Sequence, residues 1–152
     1  MEASHLQNLL QPAKTLRHTT SMPHFIHGDH HLTSRNLLNQ IIDQHKQKGY
    51  EIIRLDGKKI TLAELVEATA AQSLFGVDQA IVIENLFTRP KSQEQTKILE
   101  WLKDYTQETP LIIWESKSIG KVLQRRLPKQ TTAKEFKTPV VVFKLVEQIN
   151  PS

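Results

Sequence analysis

The chain has no cysteine. That excludes a disulfide framework and a thiolate metal site, and it suits a reducing compartment. Nowhere does an uninterrupted apolar run approach the ~20 residues that span a bilayer. The opening, "MEASHLQNLLQPAK", has neither a basic leader nor a long apolar stretch, so no signal peptide is expected. Internal repeats and low-complexity tracts are also missing. The expectation is a soluble, cytoplasmic protein with no membrane partner, and 152 residues suffice for one ordinary domain with a proper core.

Charge is present but unevenly placed. The formal net charge is +4, yet residues 1–115 carry −2 and residues 116–152 carry +6. A basic terminal segment on a near-neutral body suits nucleic acid, an acidic protein surface, or plain solvation. Lys117, Lys121, Arg125 and Lys129 follow one another four residues apart. On one continuous helix they would form a basic stripe opposite Ile119, Val122 and Leu123. A solvated helix face and a contact to DNA phosphates or a neighbouring subunit both fit that stripe.

Apolar periodicity and turn signals divide the rest. Residues 1–23 read as a short helix (Ala3–Leu10) and a polar connector, and a single domain is expected over 24–152. "HFIHG" (His24–Gly28) predicts a strand ending in a glycine turn. Leu37, Leu38, Ile41 and Ile42 predict a helix that ends near Lys48-Gly49. "EIIRLD" (Glu51–Asp56) is a second strand. Thr61 and Glu64 fit a capping box opening a helix that carries Leu62, Leu65 and Val66 inward. "AIVIE" (Ala80–Glu84) and "PLIIWE" (Pro110–Glu115) are apolar throughout, as strands buried on both faces are. Between them Ser92 and Gln95 fit a second capping box, with Ile98, Leu99, Leu102 and Tyr105 on the inward face. Ile119, Val122, Leu123 and Leu127 outline another helix stopped by Pro128, and "KEFK" a last strand. Val140–Ile149 fits strand or helix equally. Strands alternating with helices, the central ones apolar, predict an α/β three-layer domain with a mostly parallel sheet.

In such folds ligands gather at the carboxyl ends of the strands. The first strand-to-helix turn begins at Gly28, but a P-loop would need glycine, lysine and Ser/Thr where Thr33, Ser34 and Arg35 stand. Without that glycine the backbone does not cradle a triphosphate, and no ammonium reaches it. Glu84 ends a strand where a nucleotidase would place a magnesium-binding acid. ATP hydrolysis is therefore not expected, since those parts supply most of the catalytic stabilisation. His24, His27, His30 and His31 with Asp29 raise a metal reading. On a strand, however, His24 and His27 point to opposite faces, and no third well-spaced ligand joins them. No metal and no cofactor is expected; Asp29 reads as a helix N-cap. No nucleophile-and-base arrangement is recognisable.

The order strand "HFIHG", helix, strand "EIIRLDG", capped helix, "AAQSLFG", strand "QAIVIEN", helix, "LIIWES" resembles the N-terminal domain of the delta subunit of bacterial DNA polymerase III. This is the clamp-loader subunit that opens the sliding clamp, and the resemblance runs from about His24 to about Leu127. It implies a P-loop NTPase-like (AAA+) module that lacks a functional ATP site, in line with the altered loop. It also implies that Leu74 and Phe75 insert into a pocket on the sliding clamp, with Ser73 and Gly76 shaping the turn. Other clamp-loader subunits are implied as partners where more chain exists, because the family carries two further helical domains. His30 stands where the family usually has an acid. The residues themselves leave another role for Leu74-Phe75: closing the core's edge at a helix end, with Gly76 left-handed. A basic nucleic-acid-binding domain and an NTP-binding domain are the alternative functions.

Overall fold

The computed structural model describes residues 22–70 and 76–139. Five strands alternate with four helices: β1 (His24–His27), α1 (His31–Gln47), β2 (Glu51–Asp56), α2 (Leu62–Ala70), β3 (Gln79–Glu84), α3 (Gln93–Lys103), β4 (Leu111–Trp114), α4 (Lys121–Gln124) and β5 (Thr132–Glu135). All strand pairs are parallel, in the order β2-β3-β4-β1-β5. The fold is thus the expected three-layer α/β sheet, with the first strand inside it. Among the described residues no helix is long and apolar enough to cross a membrane.

Topology decides which face each helix covers. The β1-to-β2 connection crosses the sheet in one direction, and the three later connections return in the other. Right-handed crossovers then put α1 on one face and α2, α3 and α4 on the opposite face. Two apolar clusters follow from strand alternation. Ile26, Val82 and Ile112 pack with Leu38, Ile41 and Ile42 of α1. Phe25, Ile81, Ile83, Leu111 and Ile113 pack with Leu65 of α2 and Ile98, Leu99 and Leu102 of α3. Each fully buried aliphatic side chain contributes roughly 1.5–3 kcal/mol. The runs "AIVI" and "LIIW" are apolar throughout because both their faces are covered. β2 lies at an edge, and its Ile52 packs partly buried against one cluster while Ile53 and Leu55 pack partly buried against the other.

The caps behave as their chemistry demands. Thr61 Oγ1 accepts from Glu64 N–H (3.2 Å) while Glu64 Oε2 accepts from Thr61 N–H (3.3 Å), a complete capping box. Ser92 caps α3 by accepting from Gln95 N–H (3.1 Å), but the Gln95 amide turns away to the Leu86 carbonyl (3.2 Å). The second box is therefore half a box, its other half lent to the loop after β3. α1 ends at Gln47 with Lys48 as its C-cap, as expected.

Four expectations need correction. The N-cap of α1 is His30, not Asp29: His30 Nδ1 accepts from Thr33, and Asp29 Oδ1 instead accepts from Thr138 N–H at 2.7 Å. Val66 is 37% exposed, since α2 rests on the sheet through Leu65. α4 is a single turn with Val122 74% exposed, because Gly120 begins it and the chain must reach Pro128 and β5. The last strand begins at Thr132, two residues before "KEFK".

Candidate functional site

With α1 on one face and α4 on the other, the crevice between β1 and β4 at their carboxyl ends is where such a sheet would hold a ligand. Here the chain's own groups close it. The loop after β1 is only Gly28, Asp29 and His30, because α1 starts at His31. Thr33, Ser34 and Arg35 are consequently helical residues rather than a phosphate loop. Gly28 N–H donates to the Lys117 carbonyl (3.2 Å), and His30 N–H to the Phe136 carbonyl (3.1 Å). Thr33 offers its N–H to His30 Nδ1 at 3.4 Å and its hydroxyl to the same atom at 2.6 Å. Four backbone donors of this turn, the N–H groups of Gly28, His30, Thr33 and Ser34, are thus engaged internally.

Gly28 permits this closure. A Cβ there would lie 1.9 Å from the Phe136 carbonyl oxygen, and its φ of +128° favours glycine independently. Phe136 N–H in turn donates to the His27 carbonyl at 2.8 Å, so the chain after β5 is pinned across the mouth of β1.

Side chains fill the remaining space. Ser34 is fully buried and its hydroxyl accepts from the Trp114 indole N–H at 3.1 Å. The Arg35 guanidinium stacks over the Trp114 ring, 4.6 Å from its centroid, and also pairs with Glu84. Arg54 stands 3.7 Å from the other Glu84 oxygen. His31 Nε2 donates to the Ser116 carbonyl at 2.7 Å. Glu84, the strand-end acid, is thus held between two guanidinium groups.

The histidines separate as strand parity requires. His27 is buried with its Nδ1 accepting from Ile119 N–H at 2.9 Å, and burial lowers its pKa from the ordinary imidazole value. His24 is likewise lowered by burial, then by His45. Among the described residues no group of three or more His, Asp or Glu is placed to hold a metal ion.

One residue of the sheet's carboxyl edge escaped sequence reasoning. Glu115 follows the apolar β4 and is fully buried. Its carboxylate accepts from Leu86 N–H (2.8 Å), Phe87 N–H (3.1 Å) and Thr88 N–H (3.2 Å). Burial raises its pKa to about 7, against the opposing pull of those hydrogen bonds. The legible signal was an acid directly continuing a fully buried strand.

The end of α2 and the start of β3, which flank the expected partner motif in sequence, lie at the opposite, amino edge of the sheet. Ser73, Leu74 and Phe75 are outside the described residues. α2 runs to Ala70, directly before the motif, and Gly76 directly after it has φ +71°, the left-handed turn expected there. Val66 and Val77, flanking the motif in sequence, are 37% and 38% exposed.

The four spaced cations do not make one helical stripe. Lys121 opens α4 and Arg125 is its C-cap; Lys117 precedes the helix in the loop after β4, and Lys129 follows Pro128.

No protein-family model and no curated protein matches the chain. Among solved structures it is similar to a chain in the structure of Drosophila ORC bound to poly(dA/dT) DNA and Cdc6, with a TM-score of 0.46 and 13% identity. That match covers 95% of this chain and 30% of the other, so this chain spans under a third of its neighbour's length. The α/β class assigned here rests on the strand order and the parallel pairing.

Proposed function

We propose that this chain is a non-hydrolysing module of the DNA replication machinery, of the clamp-loader delta type, which grips a sliding clamp through Leu74 and Phe75. The observation that carries the reading is the closed crevice. A P-loop-like sheet whose phosphate donors bind Lys117, Phe136 and His30 is suited to rigid support rather than to nucleotide turnover. The order of the motifs from "HFIHG" to "LIIWES" supports the delta-type assignment, and the exposed Val66 and Val77 fit an apolar contact around the turn.

The mechanism is differential binding. An aliphatic and an aromatic anchor side by side form a small hot spot, each contributing roughly 2 kcal/mol or more when buried at an interface centre. Preference for an opened clamp interface would then do mechanical work without chemistry in this chain.

Leu74→Ala with Phe75→Ala is expected to weaken binding to an immobilised sliding clamp by at least about a hundredfold, with the thermal unfolding curve unchanged. Equal clamp binding by wild type and double variant would end the reading. ATP turnover by the isolated chain above a no-protein blank would favour the NTP-binding alternative instead.

A further inference from the structure

We propose that the outer side of β5 is a docking site for an extended, acidic segment of a partner protein, which adds to the sheet as a further strand beside Arg125, Lys129 and Lys134. This goes beyond clamp binding and does not depend on it. Among the described strands β5 pairs with β1 alone, so its other side is open. Thr132 N–H donates to the Pro23 carbonyl (2.9 Å) and Phe136 N–H to the His27 carbonyl (2.8 Å). In a parallel ladder alternate residues turn to the same neighbour, so the N–H and C=O groups of Ala133 and Glu135 point away from β1. An added strand satisfies those groups by main-chain hydrogen bonds.

The two outer strands differ. β2 half-buries Ile52, Ile53 and Leu55 and carries both signs of charge in Glu51, Arg54 and Asp56. All four residues of β5 are exposed. Around it, residues 124–138 hold Arg125, Arg126, Lys129, Lys134 and Lys137 against one acid, Glu135. Glu135 is exposed, but its carboxylate lies 3.3 Å from the Lys137 ammonium and 3.7 Å from His27 Nδ1. Asp29, also exposed, accepts from Thr138 N–H just after the strand. An incoming strand therefore meets a surplus of cations.

Side-chain positions follow from the register. Ala133 is level with Phe25 and so lies on the α4 face, while Lys134, level with Ile26, lies on the α1 face. On the α4 face a groove of about 350 Å³ is lined by Arg125 and Lys129 together with Leu127, Pro128 and Ala133. An acid on that face of the added strand meets Arg125 and Lys129. A second copy of this chain is disfavoured, since it sets these cations against themselves, as edge lysines do. The chain's own ends are not acidic: residues 1–21 hold one acid against two cations, and residues 140–152 one against one. Nucleic acid is disfavoured because its phosphates only accept hydrogen bonds, leaving the outward C=O groups unmet.

Fluorescence anisotropy of the whole chain with a labelled peptide of roughly six residues, alternating glutamate and valine, tests this. Binding is expected at or below about 1 mM peptide, and none with a lysine–valine peptide. Arg125→Gln with Lys129→Gln should weaken it about tenfold at low salt. Lys58→Gln with Lys59→Gln, after β2, should leave it unchanged. Ala133→Pro removes an outward N–H and spares the β1 ladder, so it should weaken binding about tenfold with an unchanged urea midpoint. Amide hydrogen exchange of the unaltered chain gives a readout independent of any variant's stability. The peptide should slow exchange at Ala133 and Glu135 but not at Thr132 and Phe136, which already bond β1. The proposal is overturned by no binding, by equal binding of the lysine–valine peptide, or by binding that leaves Ala133 and Glu135 unprotected. It is equally overturned if those two amides are already protected without peptide, or are protected by a short DNA duplex instead.

Discussion

The loops after β1 and after β3 leave the same edge of the sheet and are held by opposite devices. The first is tied backbone to backbone, through Gly28 to Lys117 and His30 to Phe136. The third is tied by one buried side chain, the Glu115 carboxylate, to the N–H groups of Leu86, Phe87 and Thr88. A backbone tie needs a glycine where chains touch and is indifferent to pH. A carboxylate tie needs no glycine but is a titratable group in a dry place. The first device closes a crevice, and the second fixes a loop and leaves it adjustable.

The comparison breaks most visibly if the first loop is rewritten. Thr33→Gly with Ser34→Lys restores the second glycine and the lysine of the P-loop, and in this fold it should fail. Position 34 is fully buried and hydrogen-bonded to Trp114, so an ammonium there enters the core. An uncompensated charge and an overpacked site together cost about 3 kcal/mol or more. Urea unfolding should show that loss, and a fluorescent ATP analogue should not bind. Binding of the analogue by a stable variant would mean that the loop is an unfurled nucleotide site after all.

The fold was legible where one signal dominated. The apolar runs of β3 and β4, the Thr61–Glu64 box and the α1 stripe each follow from burial or capping alone. Reading failed where two demands met at one residue. Asp29 has the chemistry of an N-cap, but the segment after β5 supplies a better donor in Thr138, a partner 109 positions away. Val122 keeps helical spacing, yet α4 stops after one turn because the chain must reach Pro128 and cross to β5. The closed crevice was legible only as missing letters. That Lys117 and Phe136 fill it depends on long-range pairing that no local pattern announces. Leu74 and Phe75 owe their assignment to the order of the motifs alone.

Glu115 gives the third loop its own test. Its pKa is raised to about 7 in the fold, against an ordinary value of 4.5 when exposed. Between those values the unfolded chain has lost a proton that the native chain keeps. The native state therefore binds more protons, and stability falls as pH rises through that window. The group's contribution is fully present below about 4.5 and gone above about 7, a change on the order of 3 kcal/mol. Glu115→Gln should remove this fall, although its amide must place an N–H among three N–H donors, costing about 1–3 kcal/mol at low pH. Urea midpoints at pH 5, 6 and 7 for both proteins check it. Parallel pH profiles would show that the carboxylate titrates normally and that the two loops differ less than their bonds suggest.

The smallest effect concerns the far end of the third loop. Ser92 caps α3 by its hydroxyl, while Gln95, freed from the reciprocal half of the box, holds the Leu86 carbonyl. Ser92→Ala removes one cap and should cost about 1 kcal/mol. Gln95→Ala removes a different bond, in the loop that Glu115 also grips, and leaves the buried Leu86 carbonyl without that donor. If the loop is one unit, Gln95→Ala and Glu115→Gln will be coupled, their combined loss differing from the sum by at least about 0.5 kcal/mol. Ser92→Ala should add independently to either, since its hydrogen bond lies in the helix. Additivity in all pairs would mean that Glu115 and Gln95 act separately, and that the third loop is a string of local contacts rather than a fixed body.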